Sequence, residues 1–367
     1  MAQKTLHVFK MFLMAWALMT WRSGIVIAQD YRDALNHFFL GRQPSAKAEA
    51  MGKSMIATAT GAFSSFYNPA TISQNEGLFI SASSATPFYL ADHADYKFIG
   101  ATYKLGNYGV LGLSLYRFSF GESIATTSMT NPAAQGGKFT PTTSMYTLTF
   151  SAETFKNLYF GMNVNSVRDK GAAIGKSYPI DLGLLKIFNC SKNQKISLGA
   201  SLYNVTNSKI LYDVNDNRDI KEALPVSFHA GASCQLFWGS SKLNSFELNT
   251  FGILLQLEYQ DLFNSKFHDG FRTGAELSFI EIIYIRFGLY REDINDHGFP
   301  AVNKNNLTDF TYGLGIEIPI DKFTRVKIPL NARLDITTMK QPSYIKNFDR
   351  WENFSVYNLS VNWIIKD

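Results

Sequence analysis

From residue 77 onward the chain is written in segments of about ten residues in which apolar and polar side chains alternate, and few folds accept that pattern. A period of two belongs to strands with two unlike faces. In Phe354–Ile365, Tyr357, Leu359, Val361, Trp363 and Ile365 share one face, and Asn358, Ser360 and Asn362 share the other. Val326–Thr337 sets Leu330, Ala332, Leu334 and Ile336 against Asn331, Arg333 and Asp335. Ile282–Tyr290 sets Ile283, Ile285, Phe287 and Leu289 against Tyr284, Arg286, Gly288 and Tyr290. Fourteen strands follow from this reading: 77–86, 95–104, 109–120, 144–152, 158–168, 177–188, 196–204, 224–237, 249–260, 270–278, 282–290, 311–320, 326–337 and 354–365.

A soluble sandwich also alternates, so the connections decide. Longer ones (121–143, 205–223, 291–310, 338–353) take turns with tight ones (105–108, 153–157, 279–281, 321–325). Outer-membrane barrels have long loops at one end, tight turns at the other and an even strand count. Two connections depart from the scheme: 238–248 is long for a tight turn, and 87–94 is short for a loop. The predicted fold class is all-β, a 14-stranded antiparallel transmembrane barrel. Backbone groups in lipid must pair internally, and a closed barrel is the one β structure that pairs them all. A charge on the lipid face costs about 2–4 kcal/mol at the midplane. Asp181, Glu258, Arg272, Glu276, Arg286, Glu317, Arg333 and Asp335 all fall on the face opposite the aliphatic residues, which predicts a paired polar network in the lumen. Tyr96, Tyr103, Tyr159, Tyr259, Tyr290, Phe310 and Trp363, near strand ends, are expected in interfacial girdles.

Composition agrees. The 30 Phe and 18 Tyr suit an outer surface in lipid, and a mean hydropathy of −0.08 excludes a bundle of apolar helices. A net charge of +5, thinly spread over 367 residues, gives no argument for nucleic acid as a partner. Two cysteines exclude a disulfide scaffold.

The first 28 residues read as a signal peptide: Lys4 and Lys10, an apolar run from Met11 to Trp21, then Val26-Ile27-Ala28 ahead of Gln29. They predict export to the outer membrane of a Gram-negative cell. Residues 29–76 do not alternate but are small and apolar (Ala46, Ala48, Ala50, Met51, Gly52, Met55, Ala57, Ala59, Gly61, Ala62) and end in Tyr67-Asn68-Pro69-Ala70. Small residues permit close packing, and Asn-Pro marks a turn. The segment is expected to be a plug or hatch in the lumen, ahead of a barrel spanning 77–367.

The run Pro44–Gly52, then Ala57–Ala62 and Tyr67–Ala70, resembles the N-terminal signature of the FadL-like superfamily of long-chain fatty acid transporters. Within it the chain is similar to the PorV/PorQ branch, outer-membrane proteins of type IX secretion in Bacteroidota. Asp181–Leu185, Leu198–Asn204, Leu224-Pro225, Gly274–Glu276, Ile285–Gly288 and Tyr312–Gly315 carry the same likeness. The resemblance implies a 14-stranded barrel with a lumenal N-terminal segment and assigns the hatch motif to Met51, Gly52, Asn68, Pro69 and Ala70. Lys53 stands where that pattern has a further glycine, and Gly61 and Ser64 where acidic residues often precede Asn-Pro-Ala.

No enzyme signature is present. The six histidines are scattered, Asp213–Asp219 lacks the glycine and glutamate of a calcium loop, and no nucleophile elbow or phosphate loop occurs. No catalytic residue, metal or cofactor is expected. Cys190 and Cys234 sit in a compartment that permits a disulfide. The leading expectation is a PorV/PorQ-type protein whose loops 121–143, 205–223 and 291–310 meet secretion-system components or secreted proteins, in a setting of outer-membrane lipid. The alternative is FadL-like passive passage of hydrophobic ligands. That reading needs an apolar lumenal pocket, with Phe118, Phe120, Phe139 and Tyr146 at an entrance.

Overall fold

The structure, a computed structural model, describes residues 44–58, 61–85, 95–119, 121–126, 135–171, 173–213, 220–243, 246–263, 267–294, 306–320, 329–342 and 351–363. The predicted signal peptide, residues 29–43 and Phe120 lie outside them. Fourteen antiparallel strands close a barrel: β1 Leu78–Ala85, β2 Asp95–Lys104, β3 Val110–Ser119, β4 Thr142–Phe155, β5 Leu158–Lys170, β6 Ile180–Ser191 and β7 Gln194–Tyr203. They continue as β8 Ser227–Leu243, β9 Phe246–Leu262, β10 Phe267–Phe279, β11 Ile283–Ile294, β12 Asn306–Pro319, β13 Leu330–Pro342 and β14 Trp351–Trp363. Each strand pairs with the next, and β1 pairs with β14 from Leu78↔Trp363 to Ala85↔Val356, so the ladder has no free seam.

Alternation in the sequence becomes inside and outside. On β11, Ile283, Ile285, Phe287 and Leu289 are each more than 40 % exposed on the outer face, while Arg286 and Tyr290 are buried within. The connection 238–248 departs most from its expected form. β8 runs to Leu243 and β9 begins at Phe246, with Ser240↔Asn249 and Leu243↔Phe246 paired, so the turn is tight after all. Gly239, at φ +72°, breaks the ladder at one pair, and the same register resumes beyond it.

At the long-loop end the wall is extended by three short strands, Ile174–Ser177, Lys209–Asp213 and Ile220–Ala223, which pair in series onto β5. Pro179 and Pro225 stand where the extensions meet β6 and β8. Ser123–Thr126 and Gln135–Phe139 form a separate hairpin.

Three aromatics assigned to the girdle, Tyr96, Tyr290 and Tyr159, face the lumen instead. Tyr96 is 4 % exposed and stacks on Phe118 at 4.3 Å, and Tyr290 is 1 % exposed. Tyr159 is half-buried beside Leu185 and Ile187. Tyr103, Phe310 and Trp363 face outward. Phe118, read as an entrance residue, is fully buried, while Tyr146 lies on the outer face. Position near a strand end says little about side; parity along the strand decides it.

Residues 44–58 and 61–76 are packed within the barrel. Helix α1, Ala46–Ala50, is capped by Ser45 and entirely buried. After it, Gly52 (φ +62°) and Lys53 (φ +65°) turn the chain in the left-handed region, which accounts for a glycine preference at the second position; here Lys53 takes the strain and lays its ammonium over the Tyr290 ring at 4.2 Å. Helix α2, Ser64–Tyr67, leads into a 3-10 turn, Pro69–Gln74. Asn68 caps the turn, its Oδ1 accepting from the Ala70 amide at 3.0 Å, with Pro69 at the first position.

Candidate functional site: the plugged lumen

The plug lies so close to the wall that the wall gives up its side chains there. Gly161 on β5 faces Gly183 on β6, and Gly274 on β10 faces Gly288 on β11. A Cβ on Gly161 would lie 2.3 Å from the Ala70 amide nitrogen, and one on Gly288 would lie 1.9 Å from that of Gly52. These glycines admit backbone, not a ligand. The five residues of the hatch motif sit at these points. Asn68 Nδ2 donates to the carbonyls of Ile56 (2.8 Å) and Leu184 (3.0 Å), Pro69 and Ala70 press on Gly161 and Gly183, and Met51 and Gly52 press on Gly274 and Gly288. Thr311 ties the other side, its Oγ1 accepting from the Gly52 amide and donating to the Ala50 carbonyl, each at 3.0 Å.

The eight lumenal charges fall into three groups. In the first, the Arg286 guanidinium lies between Glu276 (2.6 Å) and Asp335 (2.8 Å), and Arg333 reaches Asp335 (3.1 Å), Glu317 (3.4 Å) and Glu276 (3.5 Å). Gly315 leaves room for the Arg286–Asp335 pair, because a Cβ there would strike Asp335 Oδ1 and Arg286 Nη2. Lys47 from α1 joins at 3.3 Å from Glu276, so plug and wall share one ion network. Burial pulls the Lys47 ammonium below its ordinary range, and Glu276 opposes that pull.

In the second group, Glu258 Oε2 accepts from the plug amides of Met55 (2.9 Å) and Ile56 (3.1 Å), while Oε1 meets His229 Nδ1 (2.9 Å) and Arg272 Nη1 (3.3 Å). Arg272 also donates to Gln260. In the third, Asp181 accepts from Asn165 Nδ2 (2.7 Å), Asn163 Nδ2 (3.1 Å) and the Asn204 amide (2.9 Å). Sequence reasoning grouped the charges but missed the neutral partners. Asn163, Asn165 and His229 were readable as inward positions by parity alone; Lys47 and Asn204 were not, since only the folded plug and the bend after β7 bring them in.

The plug divides the remaining space. Toward the long-loop end is a cavity of about 100 Å³. It is lined by the apolar Phe66, Tyr67, Phe98, Tyr116, Met145 and Val167 and by the polar Asn163, Asn165, Asp181, His229, Glu258 and Arg272. Phe66 bridges plug and wall, with its ring edge-on to Tyr67 at 5.4 Å and to Tyr116 at 5.2 Å. Toward the tight-turn end is a second cavity of about 230 Å³, polar and acidic, bordered by Glu276, Glu281, Tyr284 and Glu317. Among the described residues no group of His, Cys, Asp and Glu is placed to hold a metal ion. Cys190 and Cys234 are both free thiols, so the disulfide the compartment would permit is not formed.

No family model and no curated protein matches the chain. Solved structures do. The deltaS2 mutant of TodX, a monoaromatic hydrocarbon channel from the Pseudomonas putida toluene transporter, superposes with a TM-score of 0.50 at 11 % identity, covering 89 % of this chain and 100 % of that one. The Ralstonia pickettii toluene transporter TbuX gives 0.49 at 11 %, covering 88 % and 98 %. A Pseudomonas aeruginosa FadL homologue gives 0.47 at 9 %, covering 89 % and 99 %. At such identity the likeness is one of fold alone: the chain shares the barrel fold of TodX. The finer resemblance to the PorV/PorQ branch, and with it the secretion partners, finds no support in these structures.

Proposed function

We propose that the protein is a non-enzymatic channel that takes small hydrophobic molecules from the long-loop side of an outer membrane into the aromatic-walled cavity above its plug. The cavity carries the reading. Its volume of about 100 Å³ is of the order of the apolar cavities of about 150 Å³ that hold one benzene ring, and its wall includes the rings of Phe66, Tyr67, Phe98, Tyr116 and Tyr203 with Met145, Val167 and Leu224. The solved channels of the same fold are named for toluene and monoaromatic hydrocarbons, which is consistent with a ligand of one ring. Passage from the upper cavity to the lower one requires the plug to yield at Glu258 and at the Lys47–Glu276 pair, so residues 44–76 act as the hatch. The predicted signal peptide and lipid-facing girdle fit an outer-membrane location.

The test is uptake of labelled toluene by cells lacking their own hydrocarbon channels and expressing this protein, beside a Met145→Trp variant that fills the cavity. The expected result is uptake well above that of cells without the protein and near background for the variant. Wild-type uptake no faster than that of cells without the protein, or an undiminished rate in Met145→Trp, refutes the reading. Loss of secreted proteins on gene deletion, with hydrocarbon uptake intact, would return the secretion reading in its place.

A further inference from the structure

The upper cavity offers more than an apolar wall. Half of its wall is polar, and that half carries an unbalanced charge. Glu258 is opposed by Arg272 and His229, at 3.3 and 2.9 Å. Asp181, 7 % exposed, is held by three N–H donors and no cation among the described residues. The donors are two side-chain amides and one backbone amide, which orient a carboxylate without neutralising it. A carboxylate offers about four lone-pair positions, so one acceptor site remains beside the cavity. The rings of Phe66, Phe98 and Tyr116 line the same cavity, and aromatic faces attract cations. An anion and aromatic rings sharing a space of one-ring size are complementary to an ammonium group on a short apolar body.

We infer that the cavity selects amphiphilic amines, molecules joining an aromatic or aliphatic body to a cationic nitrogen, with Asp181 as the specificity-determining residue that receives the ammonium. The inference rests on the channel reading above and narrows its substrate class. The ammonium donates to the free acceptor position of Asp181 while the body lies against Phe66 and Tyr116. An anionic head would meet the carboxylate of Asp181, which no cation among the described residues opposes, and be turned away.

The experiment uses the full chain, purified in detergent, and calorimetric binding of three probes of matched size: phenethylammonium, ethylbenzene and 3-phenylpropionate. Phenethylammonium is expected to bind at least tenfold more tightly than 3-phenylpropionate. Asp181→Asn removes the charge, and Asn165→Lys supplies an internal cation to it; each is expected to weaken phenethylammonium at least tenfold more than it weakens ethylbenzene. Heat-modifiable migration on gels verifies that each variant barrel is closed, and the wild-type ranking of probes stands even if one is not. Equal binding of phenethylammonium and 3-phenylpropionate by the wild type, or undiminished amine binding in both closed variants, overturns the inference. Ethylbenzene binding with no amine preference overturns it and leaves the channel reading standing. Failure of all three probes to bind overturns both.

Discussion

Glu258→Gln separates the plug from the barrel more cleanly than any other single change. The substitution keeps shape and removes charge, and neither orientation of the new amide satisfies the site. With its nitrogen at the Oε2 position, it presents a donor to the Met55 and Ile56 amides, which now bond at 2.9 and 3.1 Å. With its nitrogen at Oε1, it presents that donor to Arg272. In the first orientation two buried N–H groups lose their acceptor, each at about 1–3 kcal/mol. In the second an uncompensated guanidinium costs at least as much. A local loss of about 3 kcal/mol is therefore expected, equivalent to roughly a 150-fold rise in the population of the undocked plug. Hydrogen exchange read by mass spectrometry on a peptide containing Met55 and Ile56 measures it directly. That peptide should exchange about 150-fold faster in the variant, while peptides from β2 and β3, whose ladder the substitution does not touch, keep their rates. Wild-type exchange at Met55 and Ile56 would refute the assignment of Glu258 as an anchor of the plug, and exchange accelerated everywhere would refute the independence of plug and wall.

Two further substitutions probe the other contacts. Gly288→Ala places a methyl group 1.9 Å from the Gly52 nitrogen, and overpacking of this kind costs about 1–3 kcal/mol, read as a lower thermal midpoint and protease sensitivity of residues 44–58. Glu276→Gln leaves Arg286 and Arg333 short of their shared carboxylate and should cost about 3–5 kcal/mol, whereas Lys47→Met leaves both arginines paired and should stay within about 1 kcal/mol; denaturant unfolding in detergent ranks the two, and an equal loss would refute the hierarchy.

How much of this was written in the sequence depends on range. Strand number and facing were legible because parity is local: Ile285 and Arg286 are neighbours in the chain and on opposite sides of the wall. The lower ends of β8 and β9 were not legible, because Ser240 to Lys242 carry no apolar alternation. Past the hydrocarbon belt the backbone ladder continues without needing an apolar face, so the pattern stops before the strand does. Tyr96, Tyr159 and Tyr290 were misplaced because aromatics serve both an interface and a lumen, and composition cannot separate the two. The eight inward charges were identified by parity, yet their division into three groups depends on pairings between residues far apart, such as Glu258 with the amide of Met55. Lys53 is a different case. Its departure from a glycine pattern was visible, but its cost, a left-handed backbone, and its compensation, the ring of Tyr290, exist only in the fold.

The plug also constrains the order of assembly. Its hydrogen bonds join Ser45 to Asn358 and Gly52 to Thr311, across 313 and 259 residues, while its 3-10 turn rests on β4, β5 and β6. The segment that emerges first therefore has half of its docking surface made by the strands that emerge last. Until β11 to β14 arrive, α1 lacks most of the wall it seats against, and once β14 pairs with β1 a 33-residue stretch from 44 to 76 has no wide opening through which to enter. Sealing the seam and seating the plug must then be one cooperative event, and its high contact order makes it the slow step of folding. A chain truncated before β11 would lose its stopper along with its wall.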